Sequence, residues 1–124
     1  MLAAMSSFSV HVIGASGRSG TALARVLGGA RIAPVVRDAA KWASLGFKAT
    51  PVVADLTDPL ALAWALRGAT HVVSCAHARF AAQLIAAAPE GARLVLLGST
   101  RKFTRWPDAH GNGVLAGEAA LLRV

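Results

Sequence analysis

Residues 11–27 read "HVIGASGRSGTALARVL", an apolar run that stops at Gly14, glycines again at positions 17 and 20, and then a helix-forming run. Glycine every third residue keeps side chains away from one short stretch of backbone. Either the chain turns very tightly here or something must approach it. In a strand, turn and helix sequence the first N–H groups of the helix have no partner, and they meet the positive end of the helix dipole. A phosphate fits that position. Gly14 then releases the strand into the turn, Gly17 lets the backbone approach a diphosphate, and Gly20 allows the helix to pack closely. Ser16, Arg18 and Ser19 complete the candidate loop. No Gly-Lys-Ser/Thr follows, which disfavours a loop of the nucleoside triphosphatase type.

Outward from this unit the alternation repeats. "FSVHVIGA" (8–15) is a strand and "SGTALARVL" (19–27) a helix stopped by Gly28 and Gly29. "RIAPVVR" (31–37) is a second strand in which Pro34 demands a local irregularity or an open bond. A short helix over 39–46, a strand over 48–56 and a helix over 58–68, with Asp58 as cap and Pro59 at its first position, come next. Residues 70–77, 78–91 and 92–100 supply a fourth strand, a fourth helix and a fifth strand. Short β-branched strands separated by helices predict one α/β domain over residues 1–124, a three-layer sandwich on an open parallel sheet ordered 3-2-1-4-5. "RKFTRWPDAHGNG" (101–113) breaks the alternation and reads as a ligand loop after a strand end, followed by a helix over 114–124.

Composition limits the function classes. The 124 residues are 55% hydrophobic and 15% charged, which excludes a disordered chain. Cys75 is the single cysteine, so no internal disulfide exists. The opening "MLAAMSSFSV" has neither a basic region nor an apolar core suited to a signal peptide, and no run is long enough to span a membrane; a cytoplasmic protein is expected. The net charge of +7 suits an anionic ligand or nucleic acid. The basic residues are scattered, with one cluster at 101–105, so a small anionic ligand is preferred over a nucleic-acid footprint.

Cofactor choice turns on the end of the second strand, where an acidic residue accepts ribose hydroxyls and a basic one pairs with a 2′-phosphate. Arg37 stands there and Arg18 lies in the glycine loop, and guanidinium forks suit phosphate. NADP(H) is therefore preferred, with NAD(H) as the alternative. Asp38 is the competing feature: it either contacts a ribose or caps the next helix.

Taken together, "VIGASGRSG" (12–20), "PVVRD" (34–38), "VVADLTD" (52–58), "THVVSCA" (70–76) and "LVLLGST" (94–100) resemble the amino-terminal part of the NAD(P)-binding Rossmann proteins of the atypical short-chain dehydrogenase/reductase group, in particular its NmrA-like branch. The resemblance implies that Asp55 and Leu56 lie by the adenine, that Ser74, Cys75 and Ala76 flank the cofactor, and that Ser99 and Thr100 face the nicotinamide.

Classical members use a tyrosine and a lysine four residues apart, but this chain has no tyrosine. Ser99, Thr100, Lys102 and His110 are the catalytic candidates, with shaping of a loop above the cofactor as their alternative role. The family's substrate lobe is not in the sequence, so a fragment and a minimal nucleotide-binding module are both open readings. An edge or helix face left apolar would favour a homodimer or a protein partner. His71, Cys75 and His77 share strand parity, yet His71 and His77 are about 20 Å apart along an extended strand, so no metal site is expected. Trp42 and Trp64 are expected to pack, and Trp106 to make a loop contact. Three functions follow: an NAD(P)H-binding oxidoreductase-like domain, a non-catalytic NADP-sensing regulator, or a basic nucleic-acid-binding module.

Overall fold

A computed structural model describes residues 8–124. The amino-terminal stretch weighed as a leader lies, through residue 7, outside the described residues. Strand β1 (Val10–Ile13) leads through the glycine turn to helix α1 (Arg18–Leu27), followed by β2 (Ile32–Val36), α2 (Ala39–Ser44), β3 (Val52–Val53), α3 (Pro59–Ala65) and β4 (His71–Ser74). A 3-10 turn (Ala78–Phe80) runs into α4 (Ala81–Ala87), and β5 (Arg93–Leu96) leads through a second 3-10 turn (Thr100–Phe103) to α5 (Ala109–Leu122). All strands are parallel in the order β3-β2-β1-β4-β5, as the sequence predicts. The register sets Ile13 beside Val35 on one side and Ser74 on the other.

Two apolar layers sandwich this sheet. Ile13, Val35 and Val72 face Leu62, Leu66 and Leu84 of the α3 and α4 side. Val12, Ile32 and Val36 face Ala24 of α1 and Trp42 of α2. Trp42 is 1% exposed, donates its indole N–H to the Ala49 carbonyl at 2.8 Å and stacks on Phe47. Trp64 does not pack as expected. It is 65% exposed, because α3 turns Leu62, Ala65 and Leu66 inward and position 64 falls on the opposite face, where the Arg67 guanidinium lies over its ring.

Pro34 is accommodated by register. The Val36 carbonyl bonds Ala54 on the β3 side, and in a strand alternate residues point their polar groups the same way, so the missing Pro34 donor also faces that side. β3 pairs only from Val35, one step later. No ladder bond is lost. β3 itself is much shorter than predicted, because Pro51 precedes it and Asp55 bends the chain after it by accepting from the Thr57 N–H.

The segment 101–113 is not the open loop expected from its glycines. Thr100–Phe103 form a 3-10 turn, and α5 already begins at Ala109 with the Asp108 carboxylate accepting from the His110 N–H. Glycine normally weakens a helix. Here it permits close seating: a Cβ on Gly111 would press on the Arg101 carbonyl, on Gly113 on the His77 ring, and on Gly117 on the Ala78 carbonyl. The Lys102 ammonium bonds both carboxylate oxygens of Glu118 at 2.8 and 2.9 Å, closing the same junction.

His77 sits where α5 meets the first 3-10 turn. Its Nδ1 accepts from the Arg79 N–H at 2.9 Å, and its ring meets the His110 ring edge-on at 4.2 Å. Nε2 is buried and has no hydrogen-bond partner. Burial, then His110 and Arg79, hold the His77 pKa below its ordinary value, and burial does the same to His11. Apolar side chains remain exposed along β5 and α5, with Val95 at 55% and Leu122 at 86%. No helix among the described residues is long and apolar enough to cross a membrane.

Two outcomes follow from this packing. Gly117→Ala drives a methyl into the backbone of the 3-10 turn and should lower stability by about 1–3 kcal/mol in urea unfolding. The two depressed histidines bind fewer protons folded than unfolded below the ordinary value of 6.5, so stability should be level above it and fall as pH drops through their depressed values. His77→Asn, which keeps a cap acceptor, should reduce that acid slope in a pH series of unfolding midpoints and leave the share due to His11.

Candidate functional site

The site is built where the strands end. β1 stops at Ile13, and Gly14 adopts φ +70, a conformation glycine takes without strain. Its N–H donates to the Val35 carbonyl at 3.1 Å, and a Cβ there would press on the backbone of Cys75 and Ala76. The turn is thereby fixed against both neighbouring strands. Gly17 donates to the Gly14 carbonyl at 3.1 Å, and Thr21 returns its N–H and hydroxyl to the Gly17 carbonyl. Gly20 lies directly against the Gly14 carbonyl and Ala15, where any side chain would overlap backbone.

Gly17 differs from the other two. Its φ of −79 suits any residue, and a Cβ there would meet nothing nearer than the Gly14 carbonyl at 3.4 Å. It opens onto a cleft of about 710 Å³. Helix α1 starts at this point without a side-chain cap, whereas Asp38, Asp58 and Asp108 cap α2, α3 and α5. The N–H groups of Arg18, Ser19 and Gly20 precede the first helical bond, which Thr21 makes.

One wall of the cleft carries Arg37, Asp38 and Lys41, with Asp55 to Thr57 beyond them, and the other runs from Cys75 to Phe80. Asp38 is the helix cap: its Oδ1 accepts from the N–H groups of Ala40 and Lys41. Asp55 accepts from the N–H and hydroxyl of Thr57 at 2.8 and 2.7 Å. Those bonds, with a smaller contribution from Arg37, hold its carboxyl below the usual range. Both carboxylates on the cleft are thus engaged by local structure, while Arg37, Lys41 and Arg79 form no ion pair among the described residues. Burial pushes the Cys75 thiol up, keeping it neutral.

Of the residues singled out from sequence, Gly14, Ser16, Gly17, Arg37, Asp55, Leu56, Cys75 and Ala76 line this cleft. Gly20 packs beneath the turn, and Arg18 and Ser19 stand exposed in the first turn of α1. Ser74 is buried, its hydroxyl accepting from the Ala76 N–H. Ser99, Thr100, Lys102 and His110 lie outside the lining: the Ser99 hydroxyl caps the second 3-10 turn, Thr100 begins that turn, Lys102 pairs with Glu118, and His110 packs on His77. In the basic run 101–105, Arg101 is likewise paired, with Asp108 at 2.9 Å. Among the described residues no three His, Cys, Asp or Glu side chains gather as a metal site. Sequence reading passed over Lys41, Thr57, Arg79 and Phe80 as site residues, although Lys41 follows Arg37 by four and Arg79 follows the end of β4, positions where open sheets carry ligand contacts.

No protein-family model matches the chain, and no curated protein matches it. Solved structures do. Triphenylmethane reductase of Citrobacter sp., complexed with NADP(H), is 23% identical with a TM-score of 0.73, covering 94% of this chain and 46% of its own. The NADPH-dependent quinone oxidoreductase QOR2 of Escherichia coli, complexed with NADPH, is 23% identical at a TM-score of 0.74, covering 92% of this chain and 44% of its own. A Thermus thermophilus protein assigned as a short-chain oxidoreductase is 26% identical at 0.78, covering 94% and 71%. The chain spans under half the length of the first two. Over nearly all of its length it has the Rossmann-like fold of these reductases, in agreement with the resemblance drawn from its sequence.

Proposed function

We propose that the chain is an NAD(P)H-binding domain of the oxidoreductase type, preferring NADP(H), with the dinucleotide laid across the strand ends in the cleft at Gly14 and Gly17. The observation that carries this is Gly17. Neither its backbone angle nor its neighbours require glycine, so the space above it and the uncapped α1 N-terminus are accounted for by a group that approaches the backbone, and a diphosphate has the charge and size for it. The reductases of Citrobacter and E. coli, which have this fold, are complexed with NADP(H) and NADPH.

Arg37 and Lys41 are the groups for the 2′-phosphate. Asp38, next to Arg37 in the chain, spends one oxygen on two helix N–H groups, and the Arg37 guanidinium forms no ion pair among the described residues. Asp55 and Leu56 border the adenine end, while Ser16 and the first N–H groups of α1 serve the diphosphate. Bound NADP(H) supplies the hydride; the chain's part is to hold and orient it. A non-catalytic NADP-sensing protein is the second reading, favoured by the engagement of Lys102 by Glu118 and of His110 by His77. Turnover of a carbonyl and quinone panel separates the two.

Two variants test the binding reading by calorimetry. Gly17→Ala should weaken NADP(H) and NAD(H) alike, at a stability cost within about 1 kcal/mol because alanine is the poorer N-cap. Arg37→Ala should remove most of the preference for NADP(H), about 10- to 100-fold for a charge-assisted contact of roughly 1.5–3 kcal/mol, and leave NAD(H) affinity nearly unchanged. Equal affinity of the intact protein for both cofactors would overturn the NADP(H) assignment.

A further inference from the structure

The cleft has cations on two separate walls. Arg37 and Lys41 stand at the end of β2 and the start of α2, and Arg79 stands on the 3-10 turn that follows β4. β1 lies between these strands, and adjacent strands are spaced about 4.8 Å, so the two walls are on the order of 10 Å apart. One phosphate cannot be held closely from both. A ligand that satisfies both walls carries two anionic centres, with the glycine turn between them.

Arg79 is built for such a role. Its backbone N–H is fixed by His77 Nδ1 at 2.9 Å, its guanidinium lies 4.7 Å from the centre of the Phe80 ring, and no carboxylate among the described residues pairs with it. A cation over an aromatic face keeps its in-plane donors available to an anion. The turn bearing it is held from behind by α5, where Gly113 packs on His77 and Gly117 on Ala78. We propose that Arg79 is a second anion anchor of the cleft, holding the diphosphate from the β4 side, while Arg37 and Lys41 hold the 2′-phosphate. The assignment rests on the dinucleotide reading above, and it divides that ligand's charges between two walls.

The test is calorimetric titration of the intact chain and of Arg79→Gln with NADP(H), NAD(H), ADP and 2′-AMP. Arg79→Gln should weaken NADP(H), NAD(H) and ADP by a similar factor of about 10 and leave 2′-AMP unchanged, with Arg79→Lys intermediate. This pattern is the reverse of the one expected for Arg37→Ala. Unchanged affinity of Arg79→Gln for NAD(H) and ADP overturns the assignment, as does a loss confined to NADP(H) and 2′-AMP, which would move Arg79 to the 2′-phosphate. Failure of the intact chain to bind any of the four overturns the dinucleotide reading itself, and is distinguishable because it precedes any effect of the substitution. Matching thermal unfolding of the variants and the intact chain, expected for an exposed side chain, separates lost contact from lost fold.

Discussion

The structure depends on one close approach, that of Gly20 in the first turn of α1 to the Gly14 carbonyl and Ala15. No side chain fits between them, so the helix begins directly against the turn that ends β1. The same turn is bonded through the Gly14 N–H to Val35 and packed against the backbone of Cys75 and Ala76. Three strands and a helix are thus positioned by a few backbone atoms. Enlarging Gly20 would displace α1 and with it the open N–H groups of its first turn, which begins beside the cleft at Gly17. Enlarging Gly17 intrudes on the cleft beside the turn and leaves the framework in place. Two glycines three residues apart therefore serve folding and ligand approach separately.

The charge of the cleft follows from how the acids are used. The chain has six acidic residues, and four of them, Asp38, Asp55, Asp58 and Asp108, accept backbone N–H groups at turns or helix starts. Asp108 and Glu118 also hold Arg101 and Lys102. The single run of clustered basic residues is largely compensated where it stands. On the cleft the opposite holds: its two carboxylates are engaged by backbone, and its three cations form no ion pair among the described residues. The cleft therefore presents three cations with no free neighbouring carboxylate to offset them, within a chain whose net charge is +7.

Much of this was legible because local signals and global order agree. The glycine spacing, the Asp58-Pro59 helix start and the β-branched runs each specify an element, and right-handed crossovers leave few ways to order the strands. Misreadings arose where a residue's role is set by its neighbour in space. Gly111 and Gly113 signal a loop by propensity, but they are what a helix needs to lie on Arg101 and His77. Trp64 reads as core by type, and the face of α3 decides otherwise. Lys41 and Arg79 look like ordinary surface cations until the sheet brings their elements to one cleft.

The β4 wall of that cleft also shows why α5 matters to a site it does not line. The segment from His77 to Phe80 is a single 3-10 turn, a geometry with poor internal hydrogen bonding. Its rigidity has to come from elsewhere. His77 Nδ1 fixes it from within, and α5 fixes it from behind through the glycine contacts and the His77–His110 pair. That second support rests on the edge-on packing of the two rings, whose centres are 4.2 Å apart. The helix is in turn tied to the second 3-10 turn by the Lys102–Glu118 ion pair. Residues outside the cleft thus determine how firmly Arg79 is presented to it. A ligand that binds only the ordered wall must also favour the docked position of α5, because binding stabilises whichever state it selects.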